Sequence, residues 1–135
     1  MKLSSLIHFL LYIIFLSCHS IEKNSQVTDT DVATSFIRNT LDNKPEAAEH
    51  YLFNDEANRQ YFEIFWKQYH KKSKAELEKY KNAIILINEI SNVTDSISII
   101  NYSNSYNRAI KNKLKLIRIN GKWLVDLKYT FSGNL

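Results

Sequence analysis

Leu114-Lys115-Leu116-Ile117-Arg118-Ile119-Asn120-Gly121-Lys122-Trp123-Leu124-Val125-Asp126 is an apolar, β-branched run on either side of an Asn-Gly pair. An Asn-Gly pair between two such runs predicts a β-hairpin with a two-residue type I′ turn, since both turn positions need positive φ. The turn makes Ile119 and Lys122 partners. Continuing outward, Arg118 faces Trp123, Leu116 faces Val125 and Leu114 faces Leu127 on one side of the hairpin. The other side pairs Ile117 with Leu124, Lys115 with Asp126 and Lys113 with Lys128. One apolar side and one mostly charged side describe an antiparallel sheet covered on a single face.

The rest of the chain supplies more strands and the cover. Strands are predicted over 83–90, 93–102, 110–119 and 122–129, all rich in Ile, Val, Leu and Tyr. Before residue 81 the apolar period becomes helical. Thr28-Asp29-Thr30-Asp31 matches a helix start in which the Thr28 hydroxyl accepts from a free N–H. Val32, Ala33, Phe36, Ile37 and Leu41 then recur at steps of three and four. The Asp42 to Pro45 segment ends that helix, and Pro45 suits the first turn of a short helix over 46–52 that buries Ala48, Tyr51 and Leu52. Asn54 and Asp55 offer the N-cap of a third helix over 54–80, with Phe62, Phe65, Trp66, Tyr69 and Leu77 as its packed stripe. Helices followed by four antiparallel strands make an α+β fold, with the helices on one face of the sheet.

At the other end of the chain, Lys2 precedes an apolar run from Leu6 to Leu16 interrupted only by His8, and Ser17-Cys18 follows. This is the layout of an export signal over residues 1–17, and the run is shorter than the ~17 to 25 residues of a bilayer-spanning helix. Cys18 is the single cysteine of the 135-residue chain. Phe15-Leu16-Ser17-Cys18 resembles the lipobox of bacterial lipoproteins, which implies cleavage before Cys18 and a diacylglycerol (palmitate-type) anchor on its thiol. Each buried CH₂ contributes about 0.8 kcal/mol, so two acyl chains hold where one is marginal. Residues 18–27 read as a lipidated tether. Its nine residues from His19 to Val27, polar apart from Ile21 and Val27, span about 15 to 18 Å as a flexible chain. The folded domain is expected over 28–131, with a tail at 132–135.

Asp31-Val32-Ala33-Thr34-Ser35-Phe36-Ile37, Pro45-Glu46-Ala47-Ala48-Glu49-His50-Tyr51-Leu52 and the closing Asn120-Gly121-Lys122-Trp123-Leu124-Val125-Asp126 together resemble small lipoprotein domains of the nuclear transport factor 2-like (cystatin-like) superfamily. That resemblance implies a cone: a curved, mainly antiparallel four-stranded sheet whose concave face is closed by helices. A pocket in such a cone would be lined by Phe62, Trp66, Tyr69, Leu114, Leu116, Trp123, Val125 and Leu127. The cluster Tyr61, Phe62, Phe65, Trp66 and Tyr69 reads either as a pocket wall or as plain core packing. Fold alone assigns no activity.

Catalytic chemistry finds little support. No carboxylate of the final hairpin points inward in the register above, and Asp126 is sent outward to Lys115. His70 is expected on the solvated side of its helix and His50 at a partly exposed helix end. The four histidines and Cys18 lack zinc-ligand spacing, and no phosphate loop or nucleophile elbow occurs. No catalytic residue, metal or cofactor is therefore assigned. Residues 18–66 carry nine Asp and Glu against four Lys and Arg, whereas residues 67–135 carry thirteen Lys and Arg against five Asp and Glu. The basic half includes Lys67, Lys71, Lys72 and Lys74, and a sheet stripe of Lys111, Lys113, Lys115 and Lys128. The expected role is that of a non-enzymatic binding or protein-interaction module in the bacterial cell envelope, held to a membrane through Cys18. A protein partner, a second copy or an anionic envelope surface is the expected contact, and nucleic acid is not. The alternative is a carrier of a small apolar ligand in the cone pocket, with a cone-pocket enzyme behind it.

Overall fold

A computed structural model describes residues 26–131. The expected export signal over residues 1–17, Cys18 and the expected tail at 132–135 lie outside the described residues, as does most of the expected tether. Four helices precede the sheet: α1 (Asp29–Leu41), α2 (Pro45–Glu49), α3 (Glu56–Tyr69) and α4 (Lys74–Lys81). The strands β1 (Ile85–Thr94), β2 (Ile97–Asn104), β3 (Asn112–Ile119) and β4 (Lys122–Asp126) follow, and a short α5 (Leu127–Phe131) closes the domain. The sheet is an antiparallel meander in the order β1-β2-β3-β4. No helix among the described residues is long and apolar enough to cross a membrane.

The closing hairpin has the register that the Asn-Gly turn dictates: Ile119 pairs with Lys122, Arg118 with Trp123, Leu116 with Val125 and Lys115 with Asp126. Asn120 sits at φ 50° and Gly121 at φ 79°. A side chain added at Gly121 would meet nothing within 4 Å, so its effect is backbone strain alone. Gly121→Val is expected to lower unfolding free energy by about 1–3 kcal/mol in urea titration. Gly121→Asn should lose distinctly less, because Asn tolerates positive φ.

Four expectations are corrected. The predicted helix over 54–80 is two helices. α3 ends at Tyr69 with His70 as C-cap, and the Ser73 side chain accepts from the Glu76 backbone N–H at 3.2 Å to start α4. Ser73-Lys74-Ala75-Glu76 has the spacing of a helix start, a local signal that outweighs the continuing aromatic stripe. The first hairpin turns at Asp95 and Ser96 rather than near residue 91, and β1 absorbs the difference as register shifts at Asn88 and Val93.

The third correction concerns the last strand, predicted over 122–129 and observed to stop at Asp126. The free edge of β4 is taken by the segment after α2: Val125 donates to Tyr51 O at 2.8 Å and Phe53 donates to Val125 O at 2.9 Å. The Asn58 side chain then accepts from the backbone N–H of Leu127 at 2.6 Å and of Lys128 at 3.2 Å. Two N–H groups converging on one oxygen suit a helix start and not a ladder, so the chain turns into α5. Leu114 and Leu127, and Lys113 and Lys128, are consequently not cross-strand partners. Leu127 still reaches the core, while Lys128 swings to Asp55. Asp126 was expected on a solvated face, yet it is only 3% exposed, with its Oδ2 3.2 Å from Lys115 Nζ.

The core lies between the helices and one face of the sheet. Val32, Ala33, Phe36, Ile37 and Leu41 of α1 meet Ile100, Leu114, Leu116 and Val125 in one buried cluster. Asp55, the N-cap of α3, ties the far end together: Oδ1 accepts from Asn58 N at 2.7 Å and Oδ2 from Lys128 Nζ at 2.8 Å. The hydrogen bond from Lys128, and then that from Asn58, holds the Asp55 carboxyl below the usual carboxylate range, and the same bond raises Lys128. A depressed carboxyl stabilises the fold above the ordinary Asp value of 3.8, and that contribution is lost as pH falls through the folded value. The raised Lys128 contributes below its ordinary 10.5 and loses this as pH rises through its folded value. Asp55→Asn keeps the cap and removes the ion pair. It should lower stability by less than about 1 kcal/mol at neutral pH, since the pair is partly solvated. In thermal melts the difference from wild type should vanish in acid.

Candidate functional site

Phe62, Trp66 and Tyr69 line one face of α3 because they fall at steps of four and three, and all three are buried. They belong to the same cluster as Leu114, Leu116, Val125 and Leu127. Trp66 is the hub of the rings, edge-on to Phe62 at 5.9 Å, to Phe65 at 5.4 Å and to Tyr69 at 5.2 Å. Phe65 is half-buried and stacks on Tyr69, and Tyr61 at the margin stacks on Phe131. Burial pushes the Tyr69 phenol up to about 12. Its hydroxyl and Trp66 Nε1 are buried with no hydrogen-bond partner among the described residues. Seven of the eight side chains assigned to a pocket wall are thus brought together in the packed core.

The eighth, Trp123, is half-buried and borders a cavity of 430 Å³. This cleft lies where the start of α1, the end of β1 and the closing hairpin meet, and Thr28, Asp29, Asn92 and Asp95 also border it, together with Arg118. The Asn-Gly turn sets Arg118 beside Trp123, and the guanidinium carbon sits 5.9 Å from the indole. The Arg118 backbone N–H donates to Ser96 O at 2.8 Å, which pins the first hairpin turn against β3. Asn92 faces Ser98 across the β1–β2 ladder, and its Oδ1 accepts from the Ser98 hydroxyl at 3.3 Å.

Electrostatically the cleft is unpaired. Arg118 Nε is buried without a partner, and among the described residues no carboxylate lies within 4.0 Å of the guanidinium. Asp29 is turned to its own helix, accepting from Thr30 N at 2.7 Å, and Thr28 and Asp31 close a reciprocal capping box. Hydrogen bonds from Thr28 lower the Asp31 carboxyl. Sequence reasoning passed over this site, although one sign was present: an arginine on the apolar face of the hairpin. Thr28, Asn92 and Asp95 carry no such sign, because only packing of α1 against both hairpins brings them there.

Other assignments are placed as follows. The basic stripe is partly neutralised, Lys115 by Asp126 and Lys128 by Asp55, and Lys72, in the turn before α4, meets Glu76 of that helix at 2.7 Å. His50 is exposed at the end of α2. His70 is exposed as well, with Nε2 3.1 Å from Asn43 Oδ1 and its ring 5.5 Å from Trp66. Among the described residues no group of three or more His, Cys, Asp or Glu side chains is arranged to hold a metal ion. Comparison of the chain with protein-family models, with curated proteins and with solved structures finds no match.

Proposed function

We propose that this chain is a lipid-anchored protein of the bacterial cell envelope whose folded domain is a non-catalytic binding module of the nuclear transport factor 2-like type, its sheet curved into a cone around the helices. The helices-then-meander order supports the fold assignment. The observation that carries the function is where the tether leads. Gln26 and Val27, at the domain end of the segment that starts at Cys18, border the Arg118–Trp123 cleft. A tether of the length expected from the sequence, about 15 to 18 Å, would hold that cleft close to the membrane. Binding is favoured over catalysis by the chemistry of the lining. Neither His50 nor His70 borders the cleft, and the Thr28 hydroxyl is engaged with Asp31. A protein partner, a second copy or an anionic surface component are the contacts such a module would make.

The anchor is tested by metabolic labelling with a fatty-acid probe. Wild type should be labelled and recovered with membranes, and Cys18→Ser should be unlabelled and released. Equal labelling of both proteins would remove the anchoring half of the proposal.

A further inference from the structure

We infer that the Arg118–Trp123 cleft is a saccharide-binding site for an uncharged, hydroxyl-rich sugar segment. The inference rests on the reading of the domain as a binding module; it assigns a ligand class to this cleft and leaves protein or anionic contacts to the rest of the surface. The lining holds both signs of charge without pairing them: the Arg118 guanidinium, the Asp95 carboxylate and the Asp29 carboxylate, whose Oδ1 is engaged with Thr30, with no ion pair within 4.0 Å between them. A polyanion would meet the two carboxylates, and a cation would meet the guanidinium. A hydroxyl group both donates and accepts, so a neutral polyol satisfies carboxylate, guanidinium and amide together.

Three further features fit a sugar. Trp123 supplies a half-buried amphipathic ring, against which the C–H face of a pyranose packs. Asn92 offers an amide whose orientation is set by the Ser98 hydroxyl, so it is already ordered before a ligand arrives. The cavity of 430 Å³ falls in the range of small-ligand sites, about 300 to 1,000 Å³, which suits a disaccharide.

The test uses the full chain carrying Trp66→Phe, which leaves Trp123 as the sole tryptophan reporter. Cellobiose, maltose and N,N′-diacetylchitobiose are titrated separately, with diglycine and inorganic phosphate as non-sugar probes. At least one disaccharide should shift Trp123 emission saturably, with Kd of about 0.1 to 10 mM. Arg118→Gln should weaken that binding at least about tenfold, and Lys113→Gln, on the opposite face, should change it less than about twofold. Should Arg118→Gln unfold the domain by circular dichroism, Asp95→Asn on the exposed turn gives the same readout, with an expected loss of about threefold or more. Absence of a saturable shift with all three sugars overturns the inference, as does sugar binding indifferent to these substitutions. Arg118-dependent binding of phosphate or diglycine alone also overturns it and makes the cleft an anion or peptide site. Acyl labelling of Cys18 is read separately, so loss of the sugar result and loss of the anchor are distinguishable.

Discussion

Asn58→Ala is expected to lower unfolding free energy by about 2–4 kcal/mol, a large effect for a polar side chain on a helix. Asn58 is 0% exposed, and its Oδ1 is the acceptor for two backbone N–H groups at the start of α5. Truncation removes the acceptor and leaves the Leu127 and Lys128 N–H groups without a partner at a site closed to water. Leaving a buried donor unsatisfied costs about 1–3 kcal/mol. Asn58 Nδ2 already lacks a partner, which offsets part of the loss because alanine takes that unmet donor away. Urea denaturation measures the total, and amide hydrogen exchange should show Leu127 and Lys128 among the most accelerated positions. A loss under about 1 kcal/mol with unchanged exchange would mean that α5 is held by its side chains alone.

The second large effect concerns Trp66. Trp66→Ala should destabilise by about 3–5 kcal/mol, since the indole is 5% exposed and sits among Phe62, Phe65 and Tyr69. Trp66→Phe should lose less than about 1.5 kcal/mol. Phenylalanine keeps most of the ring contact and removes Nε1, a buried donor that has no partner among the described residues. The contrast between the two variants separates volume from polarity, and chemical denaturation of both measures it. Comparable losses would indicate that Nε1 is satisfied in the folded protein.

The two predictions mark where sequence reasoning was strong and where it stopped. Trp66 was legible as a packed residue because Phe62, Trp66 and Tyr69 repeat at helical steps, so their burial follows from local geometry alone. Asn58 was not legible. A lone asparagine in the first turn of a helix looks like any solvated polar residue, and its role depends on Leu127, 69 positions away. The end of β4 failed for the same reason. Residues 122–129 alternate well enough to extend a strand, and only an acceptor from α3 turns their N–H groups out of the ladder. The break between α3 and α4 was a different failure, because Ser73 and Glu76 carried the local signal and the aromatic stripe obscured it.

By itself the sequence determined the α+β order, the capping box at Thr28 and Asp31, the faces of α1 and α3, and the register of the closing hairpin from Lys115 to Asp126. All of these depend on interactions spanning a few residues, for which spacing is sufficient. Tertiary structure decided where β4 ends, that Asp126 is buried against Lys115, and that Arg118 and Trp123 share a cleft with the start of α1 and the first hairpin turn. Those outcomes depend on polar groups meeting across long sequence separations. A buried N–H or charge takes whatever partner the packing of distant elements supplies, and no local period encodes that partner.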